Sequence, residues 1–259
     1  MMMDMDFEKF YDWTNRYLAL DLSSYKQRQL QRRITTVMEN AGTTSLEEYS
    51  KLIAKDPSIR EKFLDYITIN VTDFYRNPDL FTEFEKVVTN ELVPNFGALK
   101  IWSAACSIGS EPYTLAMISQ RNKLHLKDKI LATDLDSKVL ARGKTGLYKP
   151  FELKNMDEDL IEKYFTKKDK GYQINASLKN MVNFQKHDLL LDPFDTKFHV
   201  ILCRNVIIYF NKEIKEELYR KFSESLEVGG ILFTGATETI YKPELYNLEK
   251  IGTFLYQKV

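Results

Sequence analysis

Up to about position 67 the apolar residues repeat at helical spacing. Phe7, Phe10, Tyr11 and, further on, Leu18 mark a first helix. Leu30, Ile34 and Val37 line one face of a second, for which Ser23 or Ser24 is the expected cap, and Asn40-Ala41-Gly42 ends it. Ser45-Leu46-Glu47-Glu48 opens a third helix with a capping serine and early acids, and Asp56-Pro57 caps a fourth that runs through Phe63 and Ile67. No hairpin signal interrupts this stretch. Residues 1–70 therefore read as a small helical domain, with 70–77 as its junction to the rest.

After Pro78 the pattern changes to alternation. Helix 79–92 precedes a short apolar strand at 99–105, followed by a glycine turn and helix 111–122. Strand 129–133 leads into helix 137–144, strand 198–203 into helix 212–226, and strands at 230–234 and 253–259 close the chain. Strands alternating with helices predict a mostly parallel sheet covered on both faces, an α/β domain over 71–259. Residues 150–187 break the rhythm. An acid-rich helix at 157–164 is followed by runs at 164–166, 171–174 and 181–184, which read as a small antiparallel insertion over 164–187 with its turn at 168–171.

Composition removes several classes of function. The 37 basic and 37 acidic residues cancel, so nothing global points to nucleic acid. No apolar run reaches the length of a membrane span, and the acidic start MMMDMDFEKF lacks a secretory h-region. Two cysteines, Cys106 and Cys203, fit a reducing cytoplasm, and three scattered histidines give no ligand spacing, so no metal site is expected. P-loop, GxSxG, HExxH and CxxC patterns are missing. Cys106 has no histidine base in its motif and reads as a small buried residue.

Four stretches carry candidate chemistry. In LKIWSAACSIGSEPYTLAM a strand, a glycine turn and a helix start form a nucleotide cradle. Glu111 stands where a pyrophosphate would be repelled, which suggests a cationic ligand such as the sulfonium and ammonium of S-adenosylmethionine. A favourable charge on the helix dipole explains it equally well. Asp134 in ATDLDS, at the end of the next strand, is placed for ribose hydroxyls, with Asp136 as the cap of the following helix. In FHVILCRNVIIYF, Arg204 and Asn205 end a buried strand where ligands bind in parallel sheets, and Tyr209 follows either as a site residue or as core. In NVTDFYR, Asn70, Thr72 and Arg76 either converge on that crevice or serve as caps and a surface ion pair. The second helix also carries Lys26, Arg28, Arg32 and Arg33 without an acid, either a solvated face or a docking face for an acidic helix.

Taken together, NVTDFYRNP, WSAACSIGSEPYTLAM, ATDLDSKVL, FHVILCRNVIIYF and GGILFTGATE resemble the chemotaxis receptor methyltransferase (CheR) family, in its order and spacing and over nearly the whole chain. The resemblance implies a class I S-adenosylmethionine-dependent methyltransferase fold with an all-α N-terminal domain and a small β-subdomain. It implies methyl transfer to glutamate carboxylates on the cytoplasmic methylation helices of membrane chemoreceptors, with S-adenosylhomocysteine as product. The cofactor contacts it implies are Asn70, Thr72, Arg76, Ala105, Glu111, Asp134, Asp188, Leu189, Arg204 and Asn205. Arg76 and Tyr209 match residues beside the transferred methyl, and Lys26, Arg28, Arg32 and Arg33 match the receptor-docking helix.

Two positions depart from the family pattern: Asp188 where asparagine is common, and His199 where aspartate is common. The insertion turn at 167–171 is short and lacks an Arg-Gly pair, which resembles members that need no receptor-tethering pentapeptide. A monomeric cytoplasmic enzyme is expected. The alternatives are a methyltransferase of a small carboxylic acid and a non-catalytic S-adenosylmethionine-binding adaptor.

Overall fold

The computed structural model describes residues 5–18, 20–67 and 72–259. Asn70, assigned to the site from sequence, lies outside the described residues. The chain divides into two compact units: Met1–Asn70 with Tyr209–Ile214, and Val71–Ile208 with Lys215–Val259.

The first unit contains helices α1 (Phe7–Leu18), α2 (Gln27–Asn40), α3 (Leu46–Lys55) and α4 (Pro57–Ile67). Their apolar faces meet on Phe10, Tyr49 and Phe63, three buried rings whose centroids lie 5.9–6.4 Å apart. Ser45 caps α3 by accepting from the Glu48 N–H, as its spacing predicts. The expected serine cap of α2 is corrected. Lys26 occupies the cap position without a side-chain bond, because both Ser23 and Ser24 donate their hydroxyls to the Asp21 carboxylate. The segment 209–214 is joined to this unit by a bridge between Tyr25 and Phe210, by Lys26 N–H donating to Tyr209 O (2.8 Å), and by Asn211 N–H donating to Ser24 O (3.0 Å).

The second unit is built on a seven-stranded sheet: β1 (Ile101–Ala104), β2 (Ile130–Asp134), β3 (Val182–Lys186), β4 (Phe198–Cys203), β5 (Leu226–Thr234), β6 (Leu248–Lys250) and β7 (Leu255–Lys258). The order is β6-β7-β5-β4-β1-β2-β3, with only β7 antiparallel to its neighbours. Strands β1 and β4 are apolar runs buried along their whole length, as parallel strands covered on both faces must be. The sheet order reverses between them, so a crevice opens at their carboxyl ends. Helices α5 (Pro78–Val87), α6 (Ser110–Arg121), α7 (Ser137–Thr145), α8 (Glu158–Tyr164) and α9 (Lys212–Ser225) complete the alternation. Helix α5 ends before the expected 92. A π-helical turn, Val88–Leu92, follows it, where Pro94 has no N–H for the carbonyl four residues back.

Phe165–Lys168 and Gly171–Ile174 form the expected hairpin with its turn at 168–171, and Leu147–Tyr148 adds a third antiparallel strand. The run at 181–184 does not belong to it. It lies in β3, the parallel edge strand paired to β2. Val182 and Phe184 are buried and their neighbours exposed, an alternation that an edge strand shares with a hairpin strand.

Candidate active site

The turn after β1 is held in an unusual backbone conformation. Ala105, Ser107 and Gly109 all have positive φ, at 60°, 49° and 89°. Glycine is required at 109: a Cβ there would lie 2.8 Å from the Phe184 ring and 3.3 Å from the Gly143 backbone. One tyrosine braces the turn and another the α7 helix beside it. Tyr148 Oη donates to Ile108 O (2.8 Å) and Tyr113 Oη donates to Gly143 O (2.9 Å). Cys106 N–H donates to Thr133 O (2.8 Å), fastening the turn to β2.

Glu111 lies in the first turn of α6, and its carboxylate turns inward onto the sheet. Oε1 accepts from Ser103 Oγ of β1 (2.8 Å), and Oε2 accepts from Arg204 Nη1 beyond β4 (3.4 Å). Burial pushes its carboxyl up from the usual range, with Arg204 opposing. The Arg204 side chain is only 2% exposed and lies over the rings of Phe81 and Phe233, at 4.9 and 4.6 Å. Its Nη2 donates to Arg76 O (2.9 Å) and Asn77 Oδ1 (3.2 Å). Burial pulls the guanidinium down from its ordinary value, yet arginine remains a cation. One buried arginine thus connects Glu111 to the 72–77 segment. Phe74 anchors that segment by edge contacts with Tyr148 and Phe165.

Asp134 ends β2. Its Oδ2 accepts from Ser107 N–H (2.8 Å) and its Oδ1 from Asp136 N–H (3.0 Å). Burial raises its carboxyl, while those backbone donors oppose the shift. Each oxygen keeps a lone pair for a further donor. Asp136 caps α7 by accepting from Lys138 N–H, as expected. Asp188 and Leu189 follow β3, beside Asp134, whose carbonyl accepts from His187 N–H (3.0 Å). Asp188 Oδ1 accepts from Leu190 N–H (2.8 Å), and Leu189 is buried with its carbonyl receiving Lys221 Nζ (2.9 Å). Thr72 is half-buried at the start of the junction segment. Asn205, past β4, has a φ of 62°.

The remaining assigned residues belong to the helical unit. A cavity of about 500 Å³ is lined by Lys26, Arg32 and Arg33 of the basic helix, by Tyr25 and Tyr66, and by Tyr209. Arg28 is exposed and not part of that lining; Leu30 and Ile34 are buried, as the helical spacing predicts, and Leu30 also borders the cavity. Burial pushes the thiols of Cys106 and Cys203 well up, which suits packing rather than nucleophilic chemistry. His199 is buried at the far end of β4 from Arg204, where its Nδ1 accepts from Lys100 N–H (2.8 Å).

Sequence reasoning missed Ser103, Asn77 and Glu238 as site residues. Ser103 was detectable as the single hydroxyl in an apolar strand. Glu238 was visible in GGILFTGATE, and its carboxylate accepts three backbone N–H groups.

The donor set fits S-adenosylmethionine. A buried carboxylate stands at the helix start where a phosphate would be repelled. A second carboxylate with spare acceptor capacity ends the neighbouring strand. The hydroxyls of Ser107 in the turn and of Ser110 at the start of α6 are buried with no partner among the described residues. Sheet order, turn and acids together define a class I S-adenosylmethionine-dependent methyltransferase. The chain belongs to the CheR methyltransferase family: residues 70–254 match the CheR methyltransferase SAM-binding domain and residues 5–68 match the CheR all-alpha domain. It is 38% identical over 257 residues to a chemotaxis protein methyltransferase of Listeria monocytogenes, covering 99% of this chain and 98% of that protein. It is 33% identical to chemotaxis protein methyltransferase 1 of Pseudomonas aeruginosa, covering 94% and 93%. A chemotaxis protein methyltransferase of Borreliella burgdorferi is 32% identical, covering 93% and 89%. The family assignment makes this chain a methyltransferase of chemotaxis that uses S-adenosylmethionine. Among the described residues no helix is long and apolar enough to cross a membrane.

Proposed function

We propose that the chain transfers a methyl group to glutamate side chains on the cytoplasmic methylation helices of membrane chemoreceptors, forming methyl esters. The observation that carries this reading is the cavity of the helical unit, where Tyr209 stands with Lys26, Arg32 and Arg33. A tyrosine and three cations lining one cavity suit an anionic side chain, and the exposed Arg28 extends the positive face along α2 towards an acidic helix.

S-adenosylmethionine, when bound, supplies an electrophilic methyl on a sulfonium. Glu111 answers its positive charge, and Asp134 accepts from the ribose hydroxyls. Asn70, Thr72, Arg76, Ala105, Asp188, Leu189, Arg204 and Asn205 complete the cofactor's surroundings. A glutamate carboxylate is ionised at neutral pH, so no general base is required. What remains is alignment and exclusion of water. Attraction between carboxylate and sulfonium is lost as the ester forms, so tight binding of the anion would oppose the reaction. Arg76 and Tyr209 instead each donate a hydrogen bond to the oxygen that does not attack, and so orient the other. The short turn of the hairpin supports action without a receptor-tethering pentapeptide.

The test is a tritiated-methyl assay on receptor-containing membranes, scored for base-labile methanol release. Label that resists base, or no label despite cofactor binding, would overturn the proposal. Tyr209→Phe and Arg76→Ala should lower transfer far more than cofactor affinity. Equal losses would reduce both residues to pocket walls. Activity on a small carboxylic acid that ignores neutralisation of Arg28, Arg32 and Arg33 would favour a small-molecule enzyme.

A further inference from the structure

Glu238 has no proposed contact with cofactor or substrate, yet it occupies a crowded position. It is 4% exposed, just beyond the end of β5. Its Oε2 accepts from Asn205 N–H (2.6 Å) and Gly235 N–H (2.7 Å), and its Oε1 accepts from Ile208 N–H (3.1 Å). Thr234 Oγ1 donates to the Glu238 carbonyl (2.9 Å) and fixes its backbone. Gly235 leaves the space for this arrangement. A Cβ there would fall onto the Glu238 carboxylate and lie 2.8 Å from Asn205 N.

These donors belong to one loop. Asn205 is the residue in left-handed conformation that follows Arg204, and Ile208 lies in the short 3-10 turn Ile207–Tyr209. A left-handed asparagine costs backbone energy and persists only where its surroundings fix it. The buried carboxylate does so at both ends of the loop. The geometry points to Glu238 as a positioning residue: it sets the loop 205–208 so that Asn205 and the Tyr209 that follows keep their working geometry. This rests on the proposed roles of Asn205 and Tyr209.

The two carboxylate oxygens have different clients, and that makes the idea testable. In Glu238→Gln the amide oxygen can still serve Asn205 and Gly235, while the NH2 group faces the Ile208 N–H, which then loses its acceptor. Amide exchange at Ile208 should therefore accelerate at least ~10-fold, with Asn205 and Gly235 still protected. Turnover should fall roughly 10- to 100-fold, as expected when a reacting group is displaced by about an ångström. Cofactor affinity should change by less than about threefold, because Asn205 stays fixed.

A purely structural role predicts a different pattern, in which affinity and turnover fall together with general loss of protection; that result overturns the proposal. Unchanged Ile208 exchange overturns the hold itself, and lost Ile208 protection with wild-type turnover overturns the positioning role. Wild-type turnover in Tyr209→Phe is a separate result, which removes the catalytic reading without altering exchange at Ile208. Should the glutamine variant fail to fold, Glu238→Asp keeps the charge but shortens its reach, and the same ordering of exchange, turnover and affinity applies.

Discussion

Replacing Glu111 by glutamine tests the site most directly, because the substitution keeps shape and removes charge. Two contacts are at stake in the free protein. The amide oxygen can keep the Ser103 hydroxyl, now at 2.8 Å from Oε1, while Arg204 loses its anionic partner. Removing one member of a buried ion pair costs about 3–5 kcal/mol when the other charge is stranded. Arg204 is not stranded: it keeps the Arg76 carbonyl, the Asn77 amide oxygen and two ring faces. The Glu111 contact is a long one, at 3.4 Å, and burial already penalises the ionised carboxyl. A cost of about 1–2 kcal/mol follows, the low side of the range for leaving a buried polar group unsatisfied. At about 2–4 °C per kcal/mol for a chain of this size, the Tm should fall by about 2–8 °C. Cofactor binding loses a charge-assisted contact of about 1.5–3 kcal/mol, which weakens affinity about 10- to 150-fold. Calorimetric titration with S-adenosylmethionine, paired with thermal unfolding, reads both numbers. An affinity within about threefold of the wild type, in a folded protein, would refute the argument and leave Glu111 as a partner of Arg204 and the helix dipole.

Burial raises both Glu111 and Asp134, so acid has opposite effects on binding and on stability. Their contribution to stability is fully present below the ordinary carboxylate range and is lost as pH rises through the raised values. Cofactor affinity, which needs the ionised forms, should instead fall on acidification above the ordinary carboxylate range, and titrations across pH 4–7 in wild type and Glu111→Gln, a window about the usual carboxylate and histidine values, would reveal it. Gly109→Ala meets both a φ of 89° and the Phe184 ring, so urea unfolding should show a loss of about 2–4 kcal/mol, partly recovered when Phe184 is shortened to leucine. Neutralising Arg28, Arg32 and Arg33 together should raise the KM for receptor about 10-fold or more and flatten its salt dependence, with cofactor affinity unchanged. A KM that does not move would remove α2 from the docking surface.

The parallel core was legible because strands buried on both faces read as nearly continuous apolar runs, and 198–203 was recovered to the residue despite His199. What failed was pattern without context. Val182–Lys186 alternates because it is an edge strand, and alternation alone does not say which sheet it joins. Ser23 and Ser24 have the composition of a helix cap, but Asp21 takes both hydroxyls. At the site, Glu111 and Asp134 were readable from strand-turn-helix spacing, since their positions follow from local geometry. Ser103 and Glu238 stood out in sequence as a lone hydroxyl and an acid, but their contacts were not readable. Their partners lie 8 and 33 residues away, brought near only when α6 packs over β1 and when β5 lies beside β4. Tyr209 had an ordinary core reading, and only the family resemblance raised it above that.

Glu111, Asp134 and Glu238 are held by different kinds of donor, and among these three that difference bears on how the site works. Glu238 is bonded by three backbone N–H groups and Asp134 by two, so moving either would break the turn that carries it. Glu111 alone is held by side chains, a serine hydroxyl and a long contact to Arg204. Side-chain partners can be exchanged without moving the backbone. Glu111 is therefore the carboxylate able to turn towards an incoming cation, while Arg204 falls back on the Arg76 carbonyl and the Asn77 amide that already engage its other nitrogen. Backbone-held acids give the cradle its shape at no reorganisation cost, and the side-chain-held acid supplies an adjustable charge. For the proposed methylation of a carboxylate, which would destroy an ion pair as it proceeds, this division is favourable.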